Sequence, residues 1–409
     1  MLVADIISDV IGPDLPVRVV AYDGSKVGPD SSEVTLRVIS PSALARLATA
    51  PATLGLARAY VSGEIEVDGE MYQLLDAMAD LTINGLTRAQ QIDLARKMLP
   101  IWAKHRRPIP DLEYRPKGRL HSLRRDHRAI SHHYDVSNRF YEWVLGPSMT
   151  YTCAVFPTAD ATLEEAQAAK HELVVQKLGL KSGMRLLDVG CGWGGMVMHA
   201  AKEHGVKALG VTLSKNQADW AQQKIEELGL SKLAEVRHLD YRQTPESQFD
   251  AISSIGLTEH IGRDQLSRYF SSLHARLRPG GRLLNHCITQ PRTPRRKKVD
   301  PFIGRYVFPD GQLEPIGLLI SEMNDAGFEI RHEENLREHY ALTLKAWCEN
   351  LEEHWDEAVA EVGLGRAKVW RLYMAASRVG FERDNIQLHQ VLGVKLAAQG
   401  GSGFPLRGW

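Results

Sequence analysis

Cysteine is scarce and scattered. Cys153, Cys191, Cys287 and Cys348 are the four in 409 residues, and no two form a CxxC pair, so neither a zinc site nor a disulfide framework is suggested. No metal is expected, and a reducing, cytoplasmic setting is. Net charge is missing as well: fifty Lys plus Arg balance fifty Asp plus Glu. No global field therefore draws the chain toward nucleic acid or membrane, and any such attraction must be local. Nor is there an apolar run near the ~20 residues of a membrane-spanning helix. The opening MLVADIISDVIGPDLP carries aspartates and no basic n-region, so it does not read as a signal peptide.

The 44% hydrophobic and 24% charged residues are those of a globular chain with a sizeable core. Its length implies two or three units. Charge is balanced overall but unevenly placed. Residues 1–100 hold thirteen acidic and eight basic side chains, whereas 104–128 hold nine basic and three acidic. That proline-containing stretch, KHRRPIPDLEYRPKGRLHSLRRDHR, reads as a linker. The expected division is an α+β accessory, lipid-associated domain at 1–105, a basic linker at 106–125 and a larger domain at 126–409. A second basic cluster, RTPRRKK, occupies 292–298. Either cluster suits an anionic membrane surface or plain solvent.

In the first domain, VRVVAYDGS and SSEVTLRVIS predict short strands, followed by helices around ALARLATA, TLGLARAYVSG and MYQLLDAMADL. Beyond the linker, strands are predicted at 185–190, 207–213, 234–240, 249–256 and 281–288, with helices between or before them. Thr162 and Glu165 form a capping box at one helix start. Strands separated by helices mean βαβ units and a parallel sheet.

The most specific signal is LLDVGCGWGG (186–195). An apolar strand there ends in Asp188 and runs into Gly190, Gly192, Gly194 and Gly195. Glycines at such a turn let backbone approach a ligand closely. The spacing is GxGxG rather than GxGxxG, and the second strand leads into GVTLSKNQ, where a dinucleotide site would want an acidic residue.

LLDVGCGWGG with GVTLSKNQ resembles the S-adenosylmethionine site of class I methyltransferases, specifically the cyclopropane fatty acid synthase family. The resemblance continues through HYDVSNRFY (133–141), MTYTCAVF (149–156), TEHIG (258–262), LLNHCI (283–288), FIGRYVFPDG (302–311) and HYALTLKAW (339–347). It implies an α/β fold, a class I methyltransferase Rossmann-like sheet with a helical lid, plus the small N-terminal domain. It also implies that S-adenosyl-L-methionine meets Tyr151, Thr152, Asp188 and the glycines 190, 192 and 194. Thr212, Leu213 and Gln217 would hold the ribose and adenosine, with Tyr241 and Arg242 near the adenine.

The chemistry implied is methyl transfer to the cis double bond of an unsaturated acyl chain in a membrane phospholipid. An alkene is a poor nucleophile, so a sulfonium donor is needed, water must be excluded and the resulting carbocation must lose a proton. By the resemblance, Cys153, Glu259, His286, the Ile288 backbone and Tyr340 would enclose a bicarbonate that takes it. His260 is read as a structural neighbour. Phe302, Tyr306 and Phe308 would line the acyl tunnel. AYDGS (21–25), LLNHCITQPR and YVFPDGQLEPIG resemble the subfamily making 10-methylene, tuberculostearic-type chains, and cyclopropane formation is the alternative outcome.

Small-molecule and nucleic-acid methyltransferases compete with this reading. The former give no reason for Cys153, His286 and Tyr340 together. The latter would want a basic face with stacking aromatics. A noncatalytic lipid-binding module would not need the glycine loop. The expected partners are thus a phospholipid and an anionic membrane surface at the inner face, with no nucleic acid. A homodimer and a separate reductase acting on the product stay open.

Overall fold

From residue 163 onward, apolar strand and amphipathic helix alternate, and this alternation builds the larger of two compact units. The computed structural model describes residues 2–12, 15–49, 52–80, 88–105, 107–115, 125, 137–292 and 300–407. Most of the first basic cluster and nearly all of the second lie outside them, as does the start of HYDVSNRFY.

The first unit comprises residues 1–115, 299–309 and 355–379. Its sheet is formed by β1 (Arg18–Ala21), β2 (Lys26–Val27), β3 (Thr35–Val38) and β4 (Ile65–Asp68), in the order β2-β1-β3-β4. The helices expected along 43–81 are present as Pro41–Thr49, Ala52–Val61 and Met71–Met78. Alternate strand residues such as Val19, Leu36, Val38 and Ile65 are buried, the period-2 pattern of a half-covered sheet. Charged pairs close over the unit: Arg46 meets Glu64 at 2.6 Å, and Arg58 forks onto Glu113 at 2.6 and 2.9 Å. The division differs from contiguous boundaries because 299–309 and 355–379 pack with the N-terminal residues.

The second unit holds residues 116–298, 310–354 and 380–409. The predicted strands are β5 (Arg185–Val189), β6 (Lys207–Thr212), β7 (Ala234–His238), β8 (Phe249–Ile255) and β9 (Leu277–Gln290), all parallel. Further strands are β10 (Glu314–Pro315), β11 (Phe328–Asn335) and β12 (Gln387–Lys395). The main order is β11-β12-β9-β8-β5-β6-β7, with β10 beside β9. Polarity concealed β11 and β12. FEIRHEEN is an edge strand with alternate residues exposed, and QLHQVLGVK places Gln390 and His389 at buried positions.

Helices cover both faces of the sheet, as a parallel arrangement requires. Leu186 packs into the core beneath the helices Leu163–Leu178, Gly195–His204 and Lys215–Glu227. Its neighbour Leu187 faces the opposite core with Leu266, Phe270 and Leu273. The predicted capping box is formed: the Thr162 N–H donates to the Glu165 carboxylate at 2.9 Å and the Glu165 N–H to the Thr162 hydroxyl at 3.3 Å. Among the described residues, no helix is long and apolar enough to cross a membrane.

Candidate active site

β5 ends at Val189, and the backbone must then turn without colliding with whatever lies above it. Gly190 and Gly192 take φ values of 73° and 55°, a left-handed region unfavourable to residues with a β-carbon. The amides of Gly190 and Cys191 donate to the Val211 carbonyl of β6 at 2.9 and 3.1 Å, pinning the loop over the carboxyl ends of the strands, where open α/β sheets bind ligands. Apart from its chain neighbours, a β-carbon on Gly192 would meet no atom of the described residues within 4 Å. Gly194 differs: its β-carbon would stand 3.2 Å from Ala221 Cβ and 3.3 Å from Val236 Cγ2. Its φ of 80° and this close packing, not a ligand, favour glycine there.

The loop borders a cavity of about 470 Å³. Tyr151, Thr152, Asp188, Gly190, Gly192, Thr212, Leu213, Gln217, Tyr241 and Arg242 all line it, while Gly194 does not. Asp188 is buried and accepts the Ser253 hydroxyl at 2.6 Å, and desolvation raises its carboxyl to about 7. The Thr212 hydroxyl donates to Gln217 Oε1 at 2.9 Å, leaving the glutamine NH2 as its donor end. Arg242 is held on Asp240 at 2.6 Å and lies over the Tyr241 ring.

Three further lining residues were not assigned to a ligand from sequence: Lys170, His171 and His260. Lys170 Nζ donates to Thr152 Oγ1 at 3.1 Å and lies 2.9 Å from His171 Nε2. Burial lowers its pKa to about 7, opposed by Cys153 and Asp188. The signal was there to read: the buried stripe of helix Leu163–Leu178 runs through Ala166, Gln167, Lys170, His171, Val174 and Val175, so polar residues occupy core positions.

None of the five residues expected around the anion borders this cavity. Glu259 follows β8 on a short turn and accepts the Ile288 N–H at 2.6 Å through Oε1. That amide, expected to donate to an anion, is thus committed to Glu259. The other oxygen, Oε2, is buried without a partner among the described residues, and desolvation raises the carboxyl to about 7. His286 lies two residues before Ile288, on the same face of β9. Its Nδ1 meets Gln390 Nε2 at 3.1 Å, and its Nε2 is buried without a partner among the described residues. Burial and the charges of Lys170 and Lys177 hold the imidazole neutral. The Cys153 thiol is fully buried, donates to the Ala154 carbonyl at 3.1 Å and has its pKa raised by desolvation.

Tyr340 reaches the cavity wall through aromatics. Ring centroids step from Phe381 to Tyr340 (4.5 Å), Trp347 (6.0 Å), Tyr151 (5.3 Å), Tyr141 (5.9 Å) and Trp193 of the glycine loop (4.6 Å). Of these rings Tyr151 and Trp193 line the cavity, and the others pack behind them as an apolar layer that excludes water. Phe302, Tyr306 and Phe308 fall in the first unit; there Phe302 packs on Tyr306 and Phe308 on Tyr373, and none lines the cavity of the second. Among the described residues one trio, Glu172, His199 and His204, brings a possible metal-ligand atom from each within 4.8 Å of the others, with Glu172 and His204 bonded at 2.8 Å.

Comparison with known proteins extends this picture. A family described as mycolic acid cyclopropane synthetase matches residues 121–391. A probable fatty acid methyltransferase of Mycobacterium tuberculosis, Rv3720, is 53% identical over 406 residues, covering 96% of this chain and 94% of that protein. The cyclopropane-fatty-acyl-phospholipid synthase of Escherichia coli is 36% identical over 278 residues, 67% of this chain and 70% of that one. Among solved structures, the mycolic acid cyclopropane synthase CmaA1 complexed with SAH and CTAB superposes with a TM-score of 0.62 at 33% identity, covering 65% of this chain and 97% of that chain. Sequence motifs, sheet order and these matches agree, and the chain belongs to the mycolic acid cyclopropane synthetase family of S-adenosylmethionine-dependent methyltransferases.

Proposed function

We propose that this protein methylates the cis double bond of an oleoyl-type chain in a membrane phospholipid and releases a 10-methylene branch. The reading rests on one observation above all. Glu259 Oε2 and His286 Nε2, both buried, have no partner among the described residues, on a turn and a strand joined by the bond that the Ile288 amide donates to Glu259. Unsatisfied buried polar atoms are costly, and a small oxyanion would satisfy both. A neutral carboxylic acid and an imidazole N–H are donors, which is what an anion such as bicarbonate needs; when bound, it would accept the proton that the substrate cation sheds.

The cavity residues fit S-adenosylmethionine, which supplies an electrophilic methyl group: the glycine turn leaves room above Gly192 where a side chain would intrude. Tyr151 and Thr152 stand at the methyl-donating end, and Gln217 offers an amide to the ribose. Lys170 fixes the Thr152 hydroxyl. Trp347, Tyr340 and Tyr151 shield a developing cation from water. Basic segments at 104–128 and 292–298 would hold the enzyme on anionic headgroups at the inner membrane face, roughly 1 kcal/mol per residue near the surface. The methylene product is itself an alkene, so a saturated branch would require a separate reductase.

Mass spectrometry of membrane fatty acids, after expression in a host that contains oleate but no such enzyme, tests substrate and product together. A methylene-branched chain one carbon heavier supports the reading. The cyclopropane isomer would replace it with ring closure, and unmodified oleate would overturn it.

A further inference from the structure

Behind His286 a row of polar side chains crosses three neighbouring strands. Gln390 of β12 is the register partner of His286 on β9 and of Glu334 on β11. Lys177, from helix Leu163–Leu178, reaches into this row. It is fully buried, and its Nζ donates to Gln390 Oε1 at 2.7 Å and to the Glu334 carboxylate. Gln390 is itself fully buried, and its Nε2 lies 3.1 Å from His286 Nδ1.

Donor chemistry gives this row a direction. An ammonium can only donate; burial lowers the Lys177 pKa, Glu334 opposes that shift, and both groups within reach of Nζ, the Glu334 carboxylate and the Gln390 carbonyl, are acceptors. The Gln390 carbonyl must therefore face Lys177, which turns its NH2 group toward His286. An amide NH2 cannot accept, so His286 Nδ1 must offer a lone pair, and the single proton of the neutral ring sits on Nε2. That is the nitrogen without a partner among the described residues.

We infer that Lys177 and Gln390 are positioning residues that set the tautomer of His286, so that it presents an Nε2–H donor to the oxyanion held beside Glu259. The inference rests on the function proposed above. Reversing the amide would present a lone pair to an anion, which repels it. A helix residue and two C-terminal strand residues thus reach the site through one imidazole.

The test uses full-length protein labelled with 15N-histidine, whose long-range proton–nitrogen correlations report which ring nitrogen carries hydrogen; His286→Ala identifies the signal. Wild type should show the Nε2–H form. Gln390→Glu replaces the NH2 by an acceptor, so Nδ1 should become protonated. Turnover should fall roughly 10- to 100-fold, the size seen when outer groups orienting metal-bound histidines are removed, with the KM for S-adenosylmethionine unchanged. Lys177→Met, which frees the amide to turn, should give a mixture of tautomers and an intermediate rate; it serves as the second probe if Gln390→Glu does not fold. An Nδ1–H form in wild type overturns the inference. So does a switched tautomer at wild-type turnover when His286→Ala is inactive. Wild-type turnover by His286→Ala would instead remove His286 from the reaction, overturning the functional reading even with the tautomer as inferred.

Discussion

Two neighbouring regions of the larger unit are built on different principles. The cofactor cavity combines a main-chain turn at the carboxyl end of β5, tied to Val211, with polar side chains already paired, as Thr212 is with Gln217 and Arg242 with Asp240. The Glu259–His286 region is made of side chains, is buried, and keeps two polar atoms unsatisfied. A main-chain cradle can hold a large ligand without reacting with it. Buried groups left unpaired store an electrostatic preference that a small ion or a developing charge can use.

That contrast can be broken at either end. The largest effect is expected from Glu259→Gln, which keeps volume but cannot exchange a proton as a carboxyl group does. Turnover on oleoyl phospholipid should fall about 10²- to 10⁴-fold, while calorimetry shows unchanged S-adenosylmethionine affinity. Added bicarbonate should restore wild type stripped of dissolved carbon dioxide, and should leave the variant slow.

The glycine loop supplies the next pair. Gly192→Val puts a branched side chain into the space above the loop and forces it into a left-handed conformation. Cofactor affinity should drop at least about tenfold, a 1.4 kcal/mol change or more, with a modest loss of stability from the strained backbone. Gly194→Ala should reverse the order, because its methyl group meets Ala221 and Val236. Overpacking of this kind costs about 1–3 kcal/mol, read as a lowered midpoint in urea. Equal behaviour of the two variants would erase the distinction between ligand-facing and packing glycines.

The smallest effect concerns pH. Burial raises the Asp188 and Glu259 carboxyls to about 7, so the folded protein keeps protons that the unfolded chain has released. Their contribution is fully present below the unfolded carboxylate range and is lost as pH rises through about 7. These two carboxyls therefore pull urea midpoints down between about pH 5 and 8, against buried histidines such as His171 and His286, whose lowered pKa values act in the opposite sense. The difference between wild type and Glu259→Gln isolates the Glu259 share and should fall as pH rises. A wild-type-minus-Glu259→Gln difference that rises over this interval would contradict the buried, proton-holding carboxyl.

Much of the fold was legible because parallel strands buried on both faces are apolar runs, and β5, β6 and β8 have that character. The glycine motif was legible because its conformation demands residues without a β-carbon. Lys170 and His171 were less visible: in the sequence they are two polar residues among many on a helix, and only their place on the buried stripe marks them. Gln390 and Lys177 carry no motif. Their meaning comes from strand register, which places residues 286, 334 and 390 in a row although more than a hundred positions separate the first from the last.

By itself, the sequence determined the alternation of strand and helix, the turn after Asp188 and the family to which those words belong, since each depends on neighbours within a few residues. Tertiary structure alone decided the rest. It assigned the Ile288 amide to Glu259, took Gly194 out of the cavity, and grouped Phe302, Tyr306 and Phe308 with the first unit. It also left Glu259 Oε2 and His286 Nε2 without partners among the described residues. The physical reason is that hydrogen-bond satisfaction is a property of three-dimensional neighbours: residue identity lists what a group can donate or accept, and packing decides which partner it meets.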